Sequence, residues 1–76
     1  MKYIAVANKL YEINRISFFY MTVIAEETNL SMDDVPESEV WDISEFERYE
    51  VKLINSGGKA EIVDFEELKE RHDLNK

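Results

Sequence analysis

The sequence predicts an α+β fold: a long N-terminal helix and a short C-terminal helix packed on a small antiparallel sheet built on a hairpin within residues 49–64. Three observations predict it. Apolar residues recur at helical spacing over residues 9–28, apolar runs flank Asn55-Ser56-Gly57-Gly58, and a capped amphipathic stretch starts at Asp64. With 76 residues and no linker or internal repeat, the chain reads as a single domain, 1–76. A domain this small buries only about 60% of its unfolded surface, so each large apolar side chain matters.

Lys2 to Ala7 carries Tyr3, Ile4 and Val6 and reads as a short strand. Asn8 then offers an N-cap. On a helical wheel Leu10, Ile13, Ile16, Ser17, Tyr20, Val23 and Ile24 share a face, while Glu12, Arg15, Thr22 and Glu26 lie opposite, with Phe19 the exception. The rival reading is a strand buried on both sides, because Ile16 to Tyr20 and Thr22 to Ile24 are rich in β formers. Strict alternation fails there, and the helix is preferred.

Asn29 is a helix stop and Ser31 a restart. Pro36 opens a short helix to about Asp42, with Asp33 and Asp34 just before it where the helix dipole favours anions. Ser44 with Glu47 forms a second capping pair, and the same stretch reads equally well as a structured acidic loop. In the hairpin of Tyr49 to Asp64, pairing Ile54 with Lys59 sets Leu53 against Ala60, Lys52 against Glu61 and Val51 against Ile62. Asp64 caps the last helix with Glu67 in capping-box position, Phe65, Leu68 and His72 share its inner face, and Glu67 precedes Arg71 by one turn. Asp73 to Lys76 is expected to fray.

Charge is the most uneven property of the chain. The net charge is −8, and residues 26–50 alone hold ten carboxylates against one cation, Arg48. Such a field repels phosphate backbones and attracts basic surfaces, which disfavours direct nucleic-acid binding. There is no cysteine, so disulfides and thiolate metal sites are excluded, and a cytoplasmic setting is expected. The longest apolar run, Ile16 to Ala25, is too short for a membrane span, and no secretory leader is recognisable. The expectation is therefore no membrane association.

Catalysis and cofactors find little support. His72 is the one histidine, set near the C-terminus beside charged neighbours, and the two glycines belong to a turn. Asp33, Asp34, Glu37 and Glu39 are oxygen donors, but their spacing does not match a calcium loop. The expectation is a non-enzyme with no cofactor and no metal.

The stretch from Glu26 to Glu50 is the candidate interface. Its acids do not alternate in sign with cations, so their repulsion persists unless a partner relieves it. They are interleaved with Trp41, Phe46 and Tyr49, residue types that anchor interfaces. Asp33, Asp34, Glu37, Glu39, Asp42, Glu45 and Glu47 form the expected charged patch, with Trp41 as anchor or, alternatively, as core. The expected partner is a protein with a basic surface, a nucleic-acid-handling protein above all, inhibited by the docking. No motif marks a family. In smallness and acidity the composition is similar to that of small phage-borne inhibitors, including anti-CRISPR and DNA-mimic proteins. Two alternatives are a homodimer formed through the helix of residues 9–28 with Phe18, Phe19 and Tyr20, the acids serving solubility, and a winged-helix-like regulatory module with 49–64 as its wing.

Overall fold

The computed structural model describes residues 2–73 and builds one five-stranded sheet with a helix on one face. The strands are β1 (Tyr3–Val6), β2 (Lys9–Ser17), β3 (Thr22–Glu27), β4 (Glu50–Ile54) and β5 (Ala60–Val63), and α1 spans Phe65–Asp73. They lie side by side in chain order. All neighbours are antiparallel except β3 and β4, which are parallel, so the sheet is mixed. The rest of the stretch expected to fray, residues 74–76, lies outside the described residues.

The long N-terminal helix is not there. Residues 9–28 form the β2–β3 hairpin instead, and a β-bulge accounts for the misleading period. The register slips between Ile13 and Arg15, so that Ile13 opposes Ala25 and Arg15 opposes Ile24. Asn14 is the extra residue, and it puts Ile13 and Ile16 on one face although they stand three apart. A spacing of three looks helical in sequence. The β formers that argued for a strand decide the outcome: Ile16 pairs with Val23, and Val23 and Ile24 have pairing partners on both sides.

Two further expectations shift. Asn8 does not cap a helix; with Ala7 it forms the two-residue turn between β1 and β2, at φ of 68° and 49°. Positive φ at both positions is the turn type that fits a tight hairpin, and asparagine tolerates it well. The 49–64 hairpin forms, but one residue out of the expected register: Ile54 faces Ala60, Leu53 faces Glu61, Lys52 faces Ile62 and Val51 faces Val63. The turn is the reason. Asn55 and Lys59 still bond through Asn55 N–H to the Lys59 carbonyl, at 2.9 Å, around three residues with Gly58 at φ +82°. The odd loop brings Val63 over the core and leaves Ile62 on the outer face.

The core fills the face under α1. Ile4, Val6, Tyr11, Val23, Ala25, Val51, Leu53 and Val63 pack with Leu68 of α1 and with Phe46, the largest fully buried side chain. A smaller cluster of Tyr3, Ala5 and Leu10 lies apart from it, covered by Val35 and Val40. The last helix starts as expected. Glu67 N–H donates to Asp64 Oδ1 at 2.9 Å, and Arg71 bridges Glu67 and Glu61, tying α1 to β5.

Candidate functional site

Between β3 and β4 the chain needs a long return, because parallel neighbours cannot be joined by a tight turn. Residues 28–49 make that return as three short 3-10 turns, Met32–Asp34, Glu37–Glu39 and Ile43–Phe46, rather than as the expected helix from Pro36. Pro36 instead precedes the turn Glu37–Glu39. The route is a wrap around β1. Val35 and Val40 pack on one side of β1, Val40 pairs with Tyr3 as a lone parallel bridge, and Phe46 plugs the core on the other side. Trp41 N–H donates to the Tyr3 carbonyl at 2.8 Å, and its ring stacks on Phe46 with centroids 5.7 Å apart. Trp41 is half-buried and packs on the core, the alternative raised for it from sequence.

Most apolar residues of the wrap therefore hold the fold, with Leu30 and Met32 exposed, and the acids face outward. Asp33, Asp34, Glu37, Asp42, Glu45 and Glu47 are exposed, Glu39 is half-buried, and none of the six exposed acids is ion-paired among the described residues. Two of them have structural duties. Asp34 Oδ2 accepts from Ser31 N–H at 2.7 Å and from its hydroxyl at 3.1 Å, closing the first turn. Asp42 Oδ1 accepts from Ser44 N–H at 2.9 Å and from its hydroxyl, which replaces the expected Ser44–Glu47 cap. These bonds hold the Asp42 carboxyl below the usual carboxylate range, chiefly through the backbone N–H.

His72 sits on the same edge. Its Nδ1 lies 3.2 Å from the Ala5 carbonyl, and since a carbonyl only accepts, Nδ1 carries the hydrogen. Tyr3 and Ala5 thus have their outward carbonyls covered by Trp41 and His72. A cleft of about 310 Å³ separates His72 from the wrap, lined also by Met32, Glu37, Val40, Trp41, Asp42 and Ile43. A second cleft, about 450 Å³, lies between Tyr11, Leu53 and the β4–β5 turn. Two of its polar side chains are engaged elsewhere: Glu61 with Arg71, Asn55 with the turn. Burial, reinforced by Glu27, pushes the Tyr11 hydroxyl above its ordinary pKa. Among the described residues no three carboxylate or histidine side chains converge as a metal-binding set.

No protein-family model, curated protein or solved structure matches this chain.

The helix-based alternatives lose their basis. Phe18, Phe19 and Tyr20 do not line a dimerising helix but form the tip of the β2–β3 hairpin, where all three are exposed. The helix-turn-helix expected near residues 24–35 is strand β3 followed by a loop and a 3-10 turn. Sequence reasoning named these aromatics as an interface but put them on a helix, and missed the hairpin tip. No glycine, proline or asparagine marks a turn between Ser17 and Thr22, so only the density of consecutive aromatics could have drawn attention to it. Among the described residues, no helix is long and apolar enough to cross a membrane.

Proposed function

We propose that this chain is a non-enzymatic binding protein that docks its acidic wrap, within residues 26–50, on a basic surface of a partner protein. The observation that carries the reading is the exposure of six wrap carboxylates with no ion pair to any described cation, on a segment most of whose apolar residues are committed to the fold. Repulsion among these acids is relieved by a positively charged target, and their field steers it into contact. Grooves built for phosphate backbones supply that chemistry, so a nucleic-acid-handling protein blocked at its basic groove is the partner class that fits best. The protein itself does not bind nucleic acid in this reading.

The experiment is a set of charge reversals at wrap acids that cap nothing: Asp33→Lys, Glu37→Lys, Glu45→Lys and Glu47→Lys together. Heparin-binding proteins that compete with DNA serve as probes, measured by titration across a salt series. Binding that falls steeply with salt and disappears in the fourfold variant is the expected result. Binding unchanged by the reversals would refute the reading. Retained melting temperature in the variant confirms that the fold is intact.

A further inference from the structure

The loop joining β2 to β3 contains no glycine, proline or asparagine. Met21 holds φ 53°, a conformation that glycine or asparagine adopts with least strain. The residues before it are Phe18, Phe19 and Tyr20, with 74%, 86% and 73% of their surface in solvent. Burying such side chains is favourable, and this fold leaves all three to water. The rings are nevertheless held in place. Phe19 and Tyr20 meet edge-on with centroids 4.9 Å apart, Phe18 meets Tyr49 edge-on at 6.4 Å, and Tyr20 N–H donates to Ser17 Oγ at 3.1 Å. Rigid aromatics lose little freedom on binding, and departures from local folding rules gather where contact is made.

We propose that the Phe18-Phe19-Tyr20 tip is the anchor of the protein–protein interface, and that it enters an apolar pocket rimmed by lysine and arginine on the partner. This rests on the acidic-wrap reading and names where that interface is centred. Charge identifies the occupant. Glu50 N–H donates to the Met21 carbonyl at 2.9 Å, and Tyr49 supports Phe18, so the tip stands at the end of the acidic segment. Glu50 is tied to the tip by that bond, and Glu45 and Glu47 precede it closely in the chain, with Arg48 the sole cation of that segment. An apolar centre with an acidic rim complements an apolar pocket with a basic one. The same charges argue against other occupants. A net charge of −8 opposes approach to anionic lipid, and a second copy would bring acids against acids.

The test selects short cyclised peptides from a displayed library against the full chain at low salt, then titrates the enriched peptides. They should combine lysine or arginine with aromatic or aliphatic residues and bind Phe19→Ser about thirtyfold more weakly, as for a central aromatic anchor. Tyr20→Ser should weaken them in the same direction. Peptides that bind both variants as tightly as the parent overturn the proposal, as does a selection that enriches nothing. Loss on Asp33→Lys and Glu37→Lys with Phe19→Ser unaffected overturns the anchor and leaves the acidic-wrap reading standing. Loss on Phe19→Ser with no salt dependence instead removes the acidic reading and the basic rim with it. Two parallel arms settle the occupant: tip-dependent co-sedimentation with phosphatidylcholine or phosphatidylserine vesicles, or a tip-dependent dimer in sedimentation velocity, each overturns it. Because Phe19 makes contact mainly with Tyr20, Phe19→Ser should melt with the parent, which separates lost binding from lost folding.

Discussion

The two edges of the sheet are treated oppositely. On the β1 side every strand residue is buried, the wrap adds a lone bridge and the Trp41 N–H, and α1 adds the His72 ring. On the β5 side Ala60, Glu61 and Ile62 are exposed, Ile62 to 59%, and no other element hydrogen-bonds to the backbone of Ala60 or Ile62 among the described residues. Unpaired strand edges invite association, and proteins blunt them by covering, shortening or charging them. This chain covers one edge and keeps the other to four residues beside the Glu61–Arg71 pair. The covering segment is also the acidic one, so the same residues close the fold and display the charge.

That contrast can be broken most forcefully at Phe46. Phe46→Ala removes the fully buried side chain by which the wrap is fixed to the core, and should destabilise by about 3–5 kcal/mol, enough to leave much of so small a domain unfolded in a chemical-denaturation curve. Trp41→Ala keeps the plug and strips the stacked ring from the β1 edge; a loss of about 2 kcal/mol is expected, read as a fall of roughly 8–16 °C in melting temperature. A Trp41 variant that melts with the parent would mean the ring does not hold the edge.

Acid separates the edges by their carboxylates. Asp42 on the wrap is held low by Ser44 N–H, and Glu61 beside β5 is held low by Arg71. For a lowered carboxylate the stabilisation is complete above the ordinary range, about 4, and disappears as pH falls through the folded value. Asp42→Asn and Glu61→Gln should therefore each flatten the acid limb of a melting-temperature profile below about pH 4 while shifting the neutral region only slightly. An unchanged acid limb in either variant would separate that carboxylate from the acid response.

The smallest effect is expected at the bare edge. Ile62→Lys changes an exposed side chain facing Lys52, and stability should stay within about 0.5 kcal/mol. Self-association at high concentration, if the parent shows any, should decline in the same variant. A large loss of stability there would mean that β5 is less open than its exposure indicates.

What could be read from the residues follows how local their causes are. The C-terminal helix was legible because Asp64, Glu67, Leu68 and Arg71 specify its start and inner face within two turns. The second hairpin was legible in existence but not in register, since the choice between an even and an odd loop turned on Gly58 taking a positive φ. The first hairpin was illegible for two reasons: the bulge at Asn14 imitates a helical repeat, and the tip lacks any residue that announces a turn. The acidic segment was legible as surface, yet its path around β1 was not. Nothing within residues 28–49 indicates that Val40 and Trp41 will meet Tyr3, because that contact is fixed by strands far away in the chain.

The parallel pairing of β3 with β4 sets the order in which the molecule can be completed. The meander β1–β2–β3 is stitched by short turns and can assemble from neighbouring residues, whereas β4 aligns on β3 only after 22 intervening residues have been laid around the far side of the sheet. Closing a ring of that length is the slow entropic step for a chain so small, and mutations along it should change how fast the protein folds more than those in the meander do. Until the circuit is closed, β1 stands as an open margin on a newly made chain, and the acids that later face a partner travel with the strap that seals it.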